Sequence, residues 1–455
     1  MRRFKKSNNK KVFVKSAICL VMAISLMVNS LVFSDSVYAE DEQIIQDNTE
    51  DTSEETTSEE NTEATTEATT EATTEAKVKE TRGWHRDTNG KYYYVNKKGK
   101  RIKQCWIIVK KKKYYLDEEG YRVCGFAKID GKYYYMHKTK GYCLTGWRTV
   151  NGYKYFFNAA GFAITSTWYN SGEDTYYLMK NGRAATGWKK IKKRRYYFDS
   201  DGVLLKDTFT PDGNYVDAQG KKLRKSTIKK FLKTALKPVG STMYVWGGGW
   251  GAKEGVTIGT RPRWKKFYKR QSSSYDYTQT RFQVHDGLDC SGFVGWTVYN
   301  TFNTTNNNAS YVMLAHLQAP TFANKGWGKY KAPGTFYSYK AGDVMSSSGH
   351  VYIVIGQCPD SSVVLVHSSP KGVQINGTPT RSGYPYSQAY YLAKKYMKKY
   401  YPEWTRKYPV PVKSPSYLTS YGRMRWKVKG KNCIMRDPDK YRSKTAEQIL
   451  KDLFK

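Results

Sequence analysis

The stretch "GLDCSGFVGW", residues 287–296, sets a single cysteine between an aspartate and a Ser-Gly pair, just ahead of an apolar run. Beyond Cys290, apolar residues recur at Phe293, Val294 and Val298, a spacing that predicts a helix. The first turn of a helix presents unpaired backbone N–H groups and the positive end of the helix dipole. Both predict a lowered pKa for the Cys290 thiol and a reactive thiolate. The alternative is a cysteine that only packs the helix, and the rest of the chain decides between the two.

Two histidines stand in apolar, β-branched segments further along the chain. "HVYIVIG" begins at His350, "SVVLVHS" contains His367 near its end, and the turn-forming "QCPDS" separates the two. These runs predict neighbouring strands. Imidazoles facing the helix start would supply a cysteine nucleophile with a base and with a group that orients the base. A single histidine in such a strand would more often belong to the core.

An aromatic residue recurs every 20–22 positions between residues 84 and 209. Each period holds an Asn-Gly or Asp-Gly turn signal, as at Asn151-Gly152, and a tyrosine-rich strand such as "KYYYM". One β-hairpin per period, stacked into a solenoid over residues 83–222, is predicted, because a lone hairpin cannot bury its apolar face. The alternative assigns every aromatic side chain to the solenoid core. The candidate ligand-binding aromatics are Trp84, Trp106, Trp147, Trp168 and Trp188.

The junctions "GYCLTGW" (141–147) and "GRAATGW" (182–188) resemble the cell-wall-binding repeats of Gram-positive surface proteins, which include choline-binding and glucan-binding modules. Grooves lined by tryptophan and tyrosine can hold a quaternary ammonium by cation–π attraction or stack on sugar faces. Choline-type repeats place a tryptophan directly before the tyrosine pair, where this chain has Lys113, Lys132, Thr175 or Arg195. The resemblance therefore implies a wall partner, a glycan or a teichoic acid, with choline disfavoured.

The first 39 residues have the composition of a secretory signal peptide: a basic start, an apolar run and small residues before a cleavage point at Ala39. A single membrane anchor is the alternative; cleavage leaves no transmembrane anchor. Residues 40–82 are rich in Thr and Glu and predict a disordered acidic linker. The expected location is outside the cell, associated with a Gram-positive wall.

The formal net charge is +38, with +6 in the signal peptide and −13 over residues 40–80, so residues 81–455 carry +45. An exported basic chain meets anionic wall polymers sooner than nucleic acid, so no nucleic-acid partner is expected. If Cys290 stays a thiol, five cysteines remain after signal cleavage, so they cannot all pair. One disulfide among Cys105, Cys124 and Cys143 could form, since they lie near repeat boundaries, but none is predicted.

Tyr-x-Trp-Gly-Gly from Tyr244, Asp-Cys-Ser-Gly-Phe from Asp289, Gly-His-Val and a later His-Ser-Ser resemble the NlpC family of papain-like cysteine endopeptidases, which cut peptidoglycan stem peptides. The resemblance implies an α+β papain-like domain with Cys290 as nucleophile, His350 as general base and His367 as the orienting residue. It also implies an oxyanion hole of backbone N–H groups near Cys290. The substrate-binding residues it implies are Tyr244, Trp246, Asp289 and Ser291.

The family-like domain is expected over residues 223–455, with its core at about 226–395. A basic, aromatic insert at about 252–286 is longer than the family pattern, and the tail 396–455 has no assigned role.

No HExxH motif or paired CxxC is present, so no metal or other cofactor is expected.

The sequence thus predicts a multidomain wall hydrolase: hairpin repeats followed by a cysteine peptidase. The resemblance implies cleavage between D-glutamate, through its γ-carboxyl, and the diamino acid of the stem peptide. Three alternatives stay open. The domain could be a related papain-like amidase or cross-bridge peptidase, it could transfer the acyl group to an amine, or it could be inactive in a wall-binding adhesin.

Overall fold

The computed structural model describes residues 45–46, 80–251, 259–302 and 311–455. The chain divides into two units, residues 1–127 with 136–143 and residues 128–135 with 144–455. The predicted signal peptide lies outside the described residues, as do nearly all of the predicted linker and residues 252–258 of the insert.

The first unit contains short antiparallel hairpins. Its strands are β1 (Ile45–Gln46), β2 (Gly83–Arg86), β3 (Tyr92–Val95), β4 (Cys105–Val109) and β5 (Lys112–Leu116), while β6 (Gly125–Ile129) and β7 (Lys132–Met136) span the division between the units. Strand β2 pairs with β3 and β4 with β5. Two of the hairpin turns lack glycine: the one between β4 and β5 uses Lys110 and Lys111, both at positive φ. Asn-Gly is therefore a sufficient turn signal here but not a necessary one.

The second unit continues the hairpins. Its first strands are β8 (Gly146–Val150), β9 (Tyr153–Phe157), β10 (Thr167–Ser171), β11 (Asp174–Leu178), β12 (Gly187–Ile191), β13 (Arg194–Phe198), β14 (Thr208–Phe209) and β15 (Tyr215–Val216). In each longer hairpin the leading tryptophan stands opposite an aromatic residue, as Trp168 does with Tyr177 and Trp188 with Tyr197. The predicted hairpin repeats are confirmed.

Successive hairpins are joined by backbone hydrogen bonds at one repeated position. In the second unit, Ala184 N–H donates to Lys154 O (2.7 Å) and Leu204 N–H donates to Thr175 O (2.8 Å). In the first unit, Cys143 N–H donates in the same way to Lys113 O (2.7 Å). The accepting residue directly precedes a pair of aromatic residues in its strand, so these bonds stack each hairpin on the next within its unit.

The rest of the second unit surrounds a six-stranded antiparallel sheet. Its helices are α1 (Ile228–Leu236), α2 (Pro262–Arg270), α3 (Cys290–Phe302), α4 (Ala315–Asn324), α5 (Gln388–Tyr400), α6 (Pro402–Lys407), α7 (Ser416–Thr419) and α8 (Ala446–Leu453), with 3₁₀ turns at Tyr277–Thr280 and Tyr441–Ser443. The remaining strands are β16 (Ser226–Thr227), β17 (Gly328–Lys331), β18 (Val344–Ser346), β19 (Val351–Gln357), β20 (Val363–Ser369), β21 (Gly372–Gly377), β22 (Gly422–Trp426) and β23 (Met435–Arg436). The sheet order is β17-β22-β18-β19-β20-β21.

Helix α3 lies in the core of this part of the molecule. All thirteen of its residues are buried, and it packs against α1, β19 and β20. The two runs predicted as strands around His350 and His367 are β19 and β20, and they are antiparallel neighbours. An α+β arrangement is thus present, and its relationship to papain-like peptidases stays a prediction.

The tail that had no assigned role completes this sheet. Strand β22 lies between β17 and β18, and Met424 and Trp426 belong to the main core. Helix α8 packs on β19, where a Cβ at Gly356 would lie 2.8 Å from Ala446 Cα. Residues 422–455 are therefore part of the domain that contains Cys290.

Candidate functional site

The start of helix α3 is fixed by the carboxylate of Asp289. One oxygen, Oδ1, accepts hydrogen bonds from Gly292 N–H (2.6 Å) and Ser291 Oγ (3.0 Å), and Oδ2 accepts one from Gly247 N–H (3.1 Å). This is an N-cap arrangement that leaves Cys290 as the first helical residue. Both oxygens of Asp289 are engaged within the chain, and its side chain is buried. The structure therefore gives Asp289 a positioning role at the helix start.

The glycine-rich segment from Tyr244 packs directly against this turn. A Cβ on Gly292 would lie 1.9 Å from Gly248 O, so only glycine allows the two backbones to approach. Trp250 Nε1 donates to Ser291 Oγ (3.1 Å) and ties the segment to the helix. Ser291 is buried, whereas Trp246 is 58% exposed. Of these predicted substrate-binding residues, Trp246 is thus the most open to a ligand.

The two predicted imidazoles meet. His350 Nε2 lies 2.7 Å from His367 Nδ1, and His367 Nε2 lies 3.2 Å from Asn376 Oδ1 on β21. With the Asn376 oxygen assigned to this contact, His367 carries its proton on Nε2 and accepts at Nδ1. His350 then donates through Nε2–H, so the lone pair of a neutral His350 is on Nδ1. The chain of contacts thus fixes which nitrogen of His350 can accept a proton.

The sulphur of Cys290 contacts the residue after His350. The backbone N–H groups of Val351, Ser291 and Cys290 itself interact with the thiol, and each one acts to lower its pKa. The thiol, the first residue of β19 and the imidazole pair therefore share one region of the molecule. Cys290 is a free cysteine, as are Cys105, Cys124, Cys143, Cys358 and Cys433.

Burial, however, decides the charge state of the site. Desolvation, followed by the charge of Asp289, raises the pKa of Cys290 to about 12. Desolvation, followed by the charge of Lys413, lowers the pKa of His350 to about 3. The expectation that the helix start would lower the thiol pKa is wrong for this structure, because at 6% exposure the loss of water outweighs the nearby N–H groups. The pair rests as a neutral thiol and a neutral imidazole.

Tyrosine side chains surround the same region. The Tyr417 ring lies 5.9 Å from the His350 ring and 6.0 Å from the His367 ring, and the Tyr421 ring lies 6.4 Å from His350. Burial raises the pKa of Tyr244 well above its usual range, with a further contribution from Cys290. Sequence reasoning found Tyr244 but missed Tyr417, Tyr421 and Asn376. Of these three residues only Asn376 gave a signal, because it is a polar residue in β21, a strand whose residues are all buried.

The tryptophans of the hairpins are mostly covered by cations of the chain itself. A lysine ammonium lies over three of the indole rings. Lys113 Nζ is 4.1 Å from the centroid of Trp106, and Lys154 Nζ is 4.7 Å from that of Trp147. Lys222 Nζ is 4.8 Å from the centroid of Trp188. Arg122 lies 5.5 Å from the Trp84 centroid. These are the distances at which a quaternary ammonium would bind, so the chain fills these positions itself.

Trp168 differs from the other four tryptophans. Within the described ranges, no lysine or arginine lies over its ring. Its indole is 37% exposed, and its ring packs against Tyr177 (5.2 Å), Tyr196 (5.0 Å) and Phe198 (5.9 Å). The residue before its tyrosine pair is Thr175, where Lys113 and Lys154 stand in the neighbouring repeats.

Two segments match a cell-wall-binding family. Residues 145–161 and 186–204 fit the model described as "Putative cell wall binding repeat". These segments contain β8–β9 and β12–β13, so this part of the chain carries wall-binding repeats. No curated protein is significantly similar to the chain. No helix in the described ranges combines the length and apolar character that crossing a bilayer needs.

Three solved structures from Streptococcus pneumoniae are similar to part of this chain. Choline-binding protein F is 32% identical over 32% of this chain and 48% of its own, with a TM-score of 0.29. The modular autolysin LytC is 21% identical over 32% of this chain and 38% of its own, with a TM-score of 0.25. The choline-binding domain of Spr1274 is 28% identical over 18% of this chain and 95% of its own, with a TM-score of 0.17. The chain spans about half the length of choline-binding protein F.

Proposed function

We propose that the protein is a secreted enzyme that binds a Gram-positive cell wall through its hairpin repeats and cleaves an amide bond in peptidoglycan stem peptides through Cys290. One observation carries the proposal: a thiol at the first residue of a buried helix lies beside the strand that begins after His350, and His350 bonds to His367. Burial without such partners would favour a packing role for the cysteine. Cys358 is also a buried cysteine, but within the described residues it has no such pair of imidazoles beside it.

The reaction would begin with proton transfer from Cys290 to Nδ1 of His350 as the sulphur attacks the amide carbonyl carbon. The C–S bond forms, the C–N bond breaks, and His350 returns the proton to the leaving amine. Water then attacks the thioester, His350 takes its proton, and the thiol is restored as the carboxylic acid leaves. Because the resting pair is neutral, proton transfer and attack are coupled.

The N–H groups of Val351, Ser291 and Cys290 around the sulphur would stabilise negative charge as it develops near the carbonyl. His367 would hold the His350 ring through the chain of contacts that ends at Asn376. Tyr244 and the exposed Trp246 would contact the peptide. Asp289 would act through the helix start, and its two engaged oxygens disfavour the substrate-binding role that the NlpC resemblance implies for it.

The bond between D-glutamate, through its γ-carboxyl, and the diamino acid is the preferred target, on the strength of the NlpC resemblance. An amidase, a cross-bridge peptidase and an acyl transferase remain the competing assignments. Mass spectrometry of digested muropeptides separates them by the new ends that appear, and added amine acceptors reveal transfer.

The test of the nucleophile is Cys290→Ala in the full chain. We expect loss of lysis of purified walls, with sedimentation on those walls unchanged. Cys358→Ala is the matched control, because it removes another buried free thiol and should leave lysis intact. Lysis by Cys290→Ala would remove the nucleophile assignment. An unaltered protein that sediments with walls but never cuts them would favour the inactive adhesin.

A further inference from the structure

A basic groove lies along the edge of the sheet formed by β17 and β22. The cavity has a volume of about 930 Å³, and four lysines and three arginines line it without any acidic residue. Its other lining residues include the aromatic side chains of Tyr330, Phe336, Tyr337 and Trp426. Neither the thiol site nor the hairpin repeats contribute to its lining.

The two strands place like charges directly opposite each other. Lys329 pairs in register with Arg425, and Lys331 pairs with Arg423. Alternate residues of a strand share a face, so these four cations form two adjacent rungs on one face of the sheet. Like charges that are directly opposed destabilise a sheet. Such a ladder favours an anionic partner that runs along the strands.

A single carboxylate lies among these rungs. Asp343 Oδ2 accepts from Arg425 Nη2 (2.7 Å), and Asp343 Oδ1 accepts from Arg425 Nε (3.0 Å). Arg423 Nε lies 3.9 Å from Asp343 Oδ2, too far for a hydrogen bond. One negative charge therefore faces two arginines, and among the described residues no ion pair compensates Lys329 or Lys331.

Arg423 is the buried member of the ladder. Its residue is 5% exposed, its Nη1 donates to Ser338 O (2.7 Å), and its guanidinium lies 4.4 Å from the Phe336 centroid. Its Nε is buried and has no hydrogen-bond partner. Leaving a buried donor unsatisfied destabilises the fold, and more so when the group is charged. Arg423 lines the groove, and a planar guanidinium held in one place is a group that suits phosphate.

We propose that this groove binds a phosphodiester-linked polyol polymer of the wall, the chemical class of the teichoic acids. The regular rungs match a chain with evenly spaced anions better than they match a single small anion. The choice of a wall polymer over a nucleic acid rests on the proposed extracellular wall function. The groove would hold the enzyme on anionic polymer while the thiol site works on peptide.

The experiment measures binding of synthetic poly(glycerol phosphate) to the full chain by titration calorimetry at two salt concentrations. In the double variant Lys329→Gln/Lys331→Gln we expect at least tenfold weaker binding and a smaller salt dependence, because two phosphate contacts are lost. The control Lys398→Gln/Lys399→Gln removes the same charge from the exposed side of α5 and should change affinity less than twofold. Arg423→Lys keeps the charge but removes the Nε donor, and should weaken binding as well.

The proposal would be overturned if the groove and control variants lost equal affinity for the polymer, or if the groove variants lost none. It would also be overturned if an oligothymidylate bound the unaltered protein as tightly as the polyol polymer and lost as much affinity in the groove variants. The result of this binding test is independent of the result of the lysis test on Cys290→Ala. Lys329→Gln/Lys331→Gln should cleave soluble muropeptides at the unaltered rate, and Cys290→Ala should still bind the polymer.

Discussion

At the scale of single residues, two opposing influences act on Cys290. The start of a helix and three backbone N–H groups favour the thiolate, while burial and the nearby Asp289 carboxylate favour the thiol. The pKa near 12 shows that burial prevails in the closed site. In the proposed reaction, activation would then come with the substrate, whose carbonyl carbon would be attacked by the sulphur while His350 takes the proton.

This balance predicts the pH dependence of alkylation. In the unliganded protein, the rate at which iodoacetamide labels Cys290 should rise about tenfold per pH unit from pH 7 to beyond pH 10, because the thiolate fraction grows until the pH reaches the raised pKa. Mass spectrometry of the peptide that contains Cys290 gives the rate separately from those of the other cysteines. The exposed Cys124 is the internal reference for labelling of an accessible thiol. A plateau for Cys290 below pH 8 would instead indicate a resting thiolate–imidazolium pair.

Local sequence pointed to the residues with nearby motifs but missed those that the fold brings in. Cys290, His350 and His367 each stand in a short recognisable stretch, and the structure brings both histidines into hydrogen-bonding distance. Tyr417 and Tyr421 come from a segment about 50 residues beyond His367 that carries no motif. No spacing rule predicts such long-range contacts. The state of the thiol was also misjudged, because burial cannot be read from a helix start.

At the scale of the elements, the hairpins hold cations over their own indoles. In two hairpins the residue before the aromatic pair, where choline-type repeats have a tryptophan, is Lys113 or Lys154, and each covers the tryptophan of its own hairpin. The sequence predicted the hairpins and showed the departure from the choline-type pattern. It could not reveal that the substituted side chains fold back over the rings.

The exception at Trp168 gives a prediction for ligand binding. If the repeats retain any affinity for quaternary ammonium groups, Trp168→Ala should abolish retention on a choline matrix, while Trp147→Ala should leave it nearly unchanged. The reason is that Lys154 already occupies the Trp147 face. A cation–π contact is worth roughly 0.5–2 kcal/mol, so an affinity loss of about tenfold is expected. Equal losses in the two variants would show that the lysine does not block its ring.

At the scale of the whole molecule, the end of the chain completes the domain around Cys290. Strand β22 joins β17 to β18, and without it the sheet would separate into a single strand and a four-stranded remainder. The resemblance to the NlpC family placed the core of the domain at about 226–395, since the motifs that carry the resemblance all lie within this range. The strand that fills the sheet carries none of them, so its role became visible only in the topology.

We therefore expect that a chain ending at Lys395 does not fold its C-terminal part. Loss of β22 and α8 removes Trp426 and Ile449 from the core and leaves the edges of β17 and β18 unpaired. Near-UV circular dichroism should lose its tertiary signal, and proteolysis should cut within residues 223–395. The point variant Trp426→Ala should lower stability by about 3–5 kcal/mol. A truncated chain with an unchanged tertiary signal would show that the sheet is complete without its second strand.

Helix α3, buried along all thirteen residues, has a consequence for when the chemistry can first appear during biogenesis. Under the proposed function, its opening residue would be held in place only once α1, β19 and β20 have packed around the helix. A newly made chain would then not cut cross-linked material before its interior has assembled.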